Sequence, residues 1–304
     1  LASIDDTTAD TAWTQLTPVG GPPLINRAFG RALYPPGSTF KVITAAAALR
    51  LGKVTPDSQV DAPDTVTLPG TTHQLQNYAG ESCGNGKVTL TYAFAESCNT
   101  TFAQLAMNVG EQELTREAEA WGFNTSSSIP LTVTPSSFPP VKSQAELAMA
   151  GIGQQSVRVT PLQMAQVAAT VANDGNQMQP YLVKRTLDDK LSVISTTSPK
   201  VARSPISSTV AGQLKTMMIQ VVASGTGTSA QVDGMDVAGK TGTAETGSDG
   251  GPVTWFIGYA GPSGQAPTIA IAVVLDGGDQ TADTGTGGSE AAPIAATVFK
   301  ATQQ

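Results

Sequence analysis

Strand-like apolar runs are gathered late in this chain. They read Met235 to Ala238 leading into Lys240, then Val253 to Ala260, then Thr268 to Leu275. Helix-like segments stand before, between and after these runs, the last at Ala291 to Ala301. Strands clustered in this way, with helices around them, predict α+β layers built on an antiparallel sheet. At 304 residues the chain is long enough for one large domain with an inserted subdomain, or for two domains.

The helical part has clear punctuation. Residues 1–36 are polar and Pro/Gly-rich and end in Tyr34-Pro35-Pro36-Gly37. Ser38 to Leu51 then reads as an Ala- and Leu-rich helix stopped by Gly52. Residues 53–88 read as loop. A helical stretch runs from Leu90 to Val109, stopped by Gly110, and a further amphipathic helix covers Glu111 to Trp121. Residues 124–142 contain four prolines and read as an irregular surface loop. Ser143-Gln144-Ala145-Glu146 and Thr160-Pro161-Leu162-Gln163 are capping boxes, the second with proline at the first helical position. The second opens a helix that buries Met164, Val167, Ala168 and Val171 and ends by Gly175. Leu214, Met217, Met218 and Val221 mark another helix, and Thr281 to Ser289 reads as a Gly/Thr-rich turn.

The net charge of −7, with no Lys/Arg cluster, argues against a nucleic-acid partner. No run of 18 apolar residues exists to cross a bilayer. The chain opens Leu1-Ala2-Ser3 without Met, so an export signal or anchor is expected upstream of it. Cys83 and Cys98 are either two buried thiols or a bridge; a location outside the cytoplasm favours the bridge.

Three short motifs carry the chemistry. Ser38 and Lys41 are three apart on a predicted helix and so share a face. A serine hydroxyl needs a base, and an ammonium on a dry helix face loses part of its charge preference, so Lys41 can serve. The Ser38 N–H, near a helix N-terminus, can help hold an oxyanion. A bare Ser-x-x-Lys is also common by chance. Ser97 and Asn99 flank Cys98. Positions two apart do not share a helix face, so the segment must leave helical geometry if both line one cleft. Ser97 then passes a proton, Asn99 binds an amide, and Cys98 points away toward Cys83. The alternative is a polar interruption of a helix surface. In Lys240-Thr241-Gly242-Thr243, a cation and two hydroxyls can hold a carboxylate, Gly242 admits close approach, and the Thr243 N–H is a second oxyanion donor. The alternative is a polar strand end.

Other residues read more plainly. His73, the one histidine, reads as exposed or structural, which removes a Ser-His-Asp mechanism. One His and two Cys supply no metal-ligand pattern, and no cofactor motif is present. Glu96 and Glu245 read as surface charges, Trp255 and Phe256 as core. Gly225-Thr226-Gly227-Thr228 lacks the Gly-Lys-Ser/Thr ending of a phosphate loop.

Tyr34-Pro35-Pro36-Gly37-Ser38-Thr39-Phe40-Lys41 closely resembles the active-site serine segment of class B penicillin-binding proteins. Ala238-Gly239-Lys240-Thr241-Gly242-Thr243-Ala244-Glu245 resembles their third motif. Gly151-Ile152-Gly153-Gln154, the run Val159 to Ala165, and Trp255-Phe256-Ile257-Gly258-Tyr259 are similar to further family segments. The likeness covers almost the whole chain and is nearest to the actinobacterial penicillin-binding protein A group.

The resemblance implies a penicillin-binding transpeptidase and serine β-lactamase-like fold, with an antiparallel sheet flanked by helices and a mainly helical subdomain. Approximately, that subdomain covers 61–160; 1–60 and 161–304 form the sheet-containing part, and the family's anchor and non-catalytic domain lie outside the chain. It implies D,D-transpeptidation of peptidoglycan stem peptides ending in D-Ala-D-Ala, with Ser38 as nucleophile, Lys41 as base and Ser97 as relay. Asn99, Lys240, Thr241, Gly242 and Thr243 then bind substrate, and β-lactams acylate Ser38. A glycosyltransferase partner, a role in cell division or shape, and anchoring at the extracytoplasmic face of a bacterial membrane are part of the same expectation. A bridge between Cys83 and Cys98 is not a general family feature and is expected separately. The competing readings are a β-lactamase or D,D-carboxypeptidase, a β-lactam sensor, and a non-catalytic scaffold.

Overall fold

The structure is a computed structural model that describes residues 26–30, 32–84, 86–245, 251–277 and 285–303. The polar stretch 1–25 and residues 281–284 of the predicted turn lie outside the described residues.

Three long antiparallel strands form the central sheet: β1 (Met235–Ala244), β2 (Val253–Pro262) and β3 (Ile269–Asp276), in that order. Side chains alternate across β2, as a two-residue period requires. Trp255, Ile257 and Tyr259 enter a large core; Phe256 and Ala260 enter a smaller one on the other face. Both faces are therefore covered, and all of β2 except Pro262 is buried. The smaller core is closed by Ala292, Ala295 and Phe299 of the last helix, α8 (Ala292–Ala301).

The large core is helical. α1 (Lys41–Arg50) is buried from Lys41 through Leu49. A helix apolar on every side must sit in the middle of a domain. It packs against α3 (Asn99–Val109), α4 (Glu111–Ala120) and α7 (Ser208–Ala223). α2 (Leu90–Ala95), α5 (Gln144–Gly151) and α6 (Pro161–Ala172) complete the set. α6 lies on β2 and β3, and α7 lies along β1. The apolar stripes expected on α6 and α7 are buried.

Several sequence expectations need correction. Leu90 to Val109 is two helices, broken between Ala95 and Asn99. Residues 53–88 contain two strand pairs, Gln59–Ala62 with Gly86–Thr89 and Thr65–Thr67 with Gln74–Gln76. Their residues are mostly exposed, and the alternation in Gln59–Ala62, Thr65–Thr67 and Gln74–Gln76 runs for only three or four residues, too short to announce a strand. Neither capping box is reciprocal. Ser143 and Thr160 accept from the N–H of Glu146 and Gln163, but Glu146 binds the Lys142 N–H and Gln163 donates to Trp121 O. β1 continues through Ala244, so the third motif lies inside the strand and not at its end.

Candidate active site

Ser38 lies in a 3₁₀ turn, Gly37–Phe40, that runs directly into α1. Side chains three apart eclipse in a 3₁₀ turn, so this short segment aligns Ser38 with Lys41 better than an α-helix would. The turn is held from several sides. Gly37 N–H donates to Gly153 O at 3.0 Å, and Trp255 Nε1 donates to Pro35 O at 2.9 Å. Tyr34 and Val159 exchange backbone hydrogen bonds at 2.9 and 2.8 Å. Phe40 stacks on Phe138 with centroids 5.4 Å apart. Gly37 has φ +52°, and a Cβ there would stand 2.8 Å from Thr243 O, so the turn lies directly against β1. The Gly151 to Gln154, Val159 and Trp255 segments, far apart in sequence, thus meet at the serine.

The second motif occupies the break between α2 and α3. Ser97 N–H donates to Phe94 O and Cys98 N–H to Ala93 O, at 3.2 and 2.8 Å. That pair of bonds is a Schellman helix end. Its left-handed position, usually glycine, is Ser97 with φ +61°. The turn lifts Ser97 out of the helical path and restarts the chain at Asn99. Three further ties hold it. Asn99 Nδ2 donates to Gln76 O at 3.2 Å. Asn77 Oδ1 accepts from Thr100 N–H at 3.2 Å, capping α3 from a distant segment. Cys98 is disulfide-bonded to Cys83, with Cα atoms 5.9 Å apart.

Two buried lysines converge on Ser97. Lys41 Nζ donates to Ser97 O at 2.5 Å, to Asn99 Oδ1 at 2.8 Å and to Ser97 Oγ at 3.2 Å. Lys240 Nζ donates to the same Ser97 Oγ at 2.9 Å and to Thr241 O at 3.0 Å. Their other neighbours are aromatic: Phe102 lies 5.6 Å below Lys41 Nζ and Phe94 5.7 Å below Lys240 Nζ. Burial holds the Lys41 amine well below the usual lysine range, and the positive charge of Lys240 adds to it. Burial also pulls Lys240 down to about 7, against the opposing pull of Glu96. An amine held low by burial is neutral over more of the pH range, so it is free to act as a base, and both amines share the Ser97 hydroxyl.

All the expected site residues from Ser38 to Thr243 come together, with two differences in detail. Lys41 is hydrogen-bonded to the second motif, and among the described residues Ser38 Oγ is not one of its partners. A Cβ on Gly242 would stand 2.9 Å from Thr39 Cγ2 and 3.0 Å from Pro36 O. On that side the bare glycine lets β1 approach the serine turn, and a substrate does not occupy the space. Thr243 Oγ1 accepts from Gly287 N–H at 3.3 Å. His73 and Glu245 are exposed, and Trp255 and Phe256 are fully buried, as expected. Glu96 is exposed too, yet lies close enough to Lys240 to act on it.

Sequence reasoning missed Thr226. Its hydroxyl meets Thr241 Oγ1 at 2.6 Å, so the discounted Gly-Thr-Gly-Thr segment backs the third motif. The two glycines around a threonine just after a helix were the only signal. Gln76 and Asn77, the second omission, carried none.

The penicillin binding protein transpeptidase domain model matches residues 2–300. Peptidoglycan D,D-transpeptidase PbpA of Mycolicibacterium smegmatis is 43% identical over 300 residues, covering 97% of this chain and 60% of that protein. Its Mycobacterium tuberculosis H37Rv namesake is 42% identical over 311 residues, covering 100% of the chain and 62% of that protein. The chain thus spans about three-fifths of the length of these curated relatives. The crystal structure of PBPA from M. tuberculosis superposes with a TM-score of 0.91 at 41% identity, covering 100% of this chain and 69% of that one. The penicillin G acyl-enzyme complex of that protein gives 0.89 at 41% identity, covering 100% and 68%.

Proposed function

The chain belongs to the penicillin-binding protein transpeptidase family, and from that premise we propose that it is a peptidoglycan D,D-transpeptidase working through a serine acyl-enzyme. The observation that carries the reading is the convergence of Lys41 and Lys240 on Ser97 Oγ, next to a serine held on a rigid turn. Ser38 Oγ attacks the carbonyl between the two D-Ala residues while the neutral Lys41 amine takes its proton. The N–H groups of Ser38 and Thr243 hold the oxyanion. The C–N bond then breaks. The leaving D-Ala amine receives the Lys41 proton through the Ser97 hydroxyl, and an ester on Ser38 remains. An amine from a second stem peptide attacks that ester, its proton returns to the Lys41 side, and Ser38 leaves with its hydroxyl restored.

Asn99 binds the peptide amide, and Lys240, Thr241 and Thr243 bind the terminal carboxylate, with Gly242 keeping β1 close to Ser38. β-Lactams enter by the same attack and remain as esters. The region 61–160 forms the helical side of the cleft, and the remainder forms the sheet side. The disulfide suits an oxidising, extracytoplasmic location, and anchoring at the membrane by a segment beyond this chain fits the expected substrate. Work beside a glycosyltransferase in division or cell shape belongs to the same reading.

Incubation with an N-acylated donor peptide ending in D-Ala-D-Ala and a D-amino acid acceptor tests the reaction. The expected product, by mass spectrometry, is the donor carrying the acceptor in place of its last D-Ala. Release of hydrolysed donor alone would make the protein a carboxypeptidase.

A further inference from the structure

A two-stranded arm leaves the body at Gln177 and returns at Arg203. Gln177–Met178 pairs with Val201–Arg203, and Arg185–Leu187 pairs with Val193–Thr196. Between them Gln179 N–H donates to Lys200 O at 2.8 Å and Thr197 N–H to Lys184 O at 2.9 Å. Asp188 Oδ1 closes the tip by accepting from the N–H groups of Lys190 and Ser192, at 2.9 and 2.7 Å. Every residue of the two distal strands is exposed. The arm is therefore shaped by its ladder and turn, and not by packing on the body.

Its surface is unusual for water. Nine of the fifteen exposed large apolar side chains among the described residues lie on it. Leu191 is 77% exposed, Ile194 67%, Leu182 58% and Val201 55%. An open two-stranded ladder with aliphatic side chains is a template for another strand. The arm carries Lys184, Arg185, Lys190, Lys200 and Arg203 against Asp188 and Asp189, on a chain of net charge −7. None of the five cations forms an ion pair among the described residues. Asp188 is already committed to the turn.

At the root of the arm is a cavity of about 190 Å³, lined by Arg203 and the amides of Gln163, Gln166, Gln177 and Gln179. Gln163 and Gln177 are pinned there by hydrogen bonds to Trp121 O at 2.8 and 3.2 Å. A free guanidinium among amides suits a carboxylate on a polypeptide. The open ladder edge suits backbone N–H and C=O groups, which a lipid surface does not offer.

We propose that this arm and its basal cavity dock an extended, acidic and aliphatic segment of a partner protein. The segment adds a strand to the ladder, sets its aliphatic side chains on the ladder face that carries Ile194, and places a carboxylate on Arg203.

The probe is a labelled peptide, acetyl-Glu-Val-Glu-Ile-Glu-Val-Glu-amide, read by fluorescence anisotropy, with an all-Lys-for-Glu control. The acidic peptide is expected to bind at least tenfold more tightly than the control. Ile194→Glu and Arg203→Gln are each expected to weaken it at least fivefold, with penicillin acylation unchanged. Hydrogen exchange should show new protection in Arg185–Leu187 or Val193–Thr196. Equal affinity for both peptides, or none for either, overturns the proposal. So does binding to anionic phospholipid vesicles without peptide binding, which would make the arm a membrane contact. Self-association abolished by Ile194→Glu in sedimentation would instead assign the arm to a second copy of this chain.

Discussion

Ser97 holds a left-handed backbone where glycine would rest without strain, and it still carries the hydroxyl that both lysines share. A side chain in that conformation costs about 1 kcal/mol or more. Ser97→Ala and Ser97→Gly both remove the hydroxyl, but only glycine relieves the backbone. Both variants are expected to lose most β-lactam acylation, with the glycine variant more stable than the alanine variant by about 1 kcal/mol in urea unfolding. Equal stability would mean that the turn stores no strain. The lysines give a pH dependence with a definite sign. Folded Lys240 releases its proton at about 7, and an unfolded lysine near 10.4. Between those values the unfolded chain binds more protons, so the cost of burying the charge is full below about pH 7 and is relieved as pH rises. Wild type is expected to gain stability on Lys240→Met between pH 7 and 9. A difference that stays constant with pH would contradict the burial argument.

At the scale of elements, the break between α2 and α3 decides whether a site exists. It is clamped by a distant asparagine cap and by a disulfide spanning 15 residues. Closing a loop of that size stabilises a fold by about 3 kcal/mol in the chain-entropy model. Replacing both cysteines by serine should cost about that much in chemical denaturation and slow acylation, because Cys98 stands between Ser97 and Asn99. Unchanged acylation would show that the hydrogen bonds alone hold the turn. The break was only half legible in sequence. The spacing of Ser97 and Asn99 demanded a departure from the helix, but the apolar pattern of Leu90 to Val109 ran across it. The strand pairs in 53–88 were missed because their two-residue period lasts only three or four residues in a stretch rich in Pro and Gly. The long buried strands and helices were readable because their faces and stops were written in residue type, as with Met164, Val167 and Val171 on α6.

At the scale of the whole molecule, described segments far apart in sequence meet around Ser97 and the serine turn. The turn after Pro36, the break at Ser97, the Gly151 to Gln154 loop, Thr226 and β1 all contribute. The motif residues could be named from sequence because chemistry restricts which side chains serve. The supporting contacts could not, since a backbone carbonyl such as Gln76 O or Gly153 O leaves no trace in residue type. Nor does sequence show that Lys41 faces Ser97 and Asn99, because that depends on where α2 ends in space. In the proposed mechanism this assembly makes Ser38 a nucleophile whose ester persists. Intact-mass spectrometry of the protein with penicillin G, followed over hours and mapped by peptide digestion, tests it most directly. One stable adduct per chain is expected, on Ser38, and none in a folded Ser38→Ala variant. An adduct retained by that variant, or rapid loss of the adduct with turnover of penicillin, would contradict it.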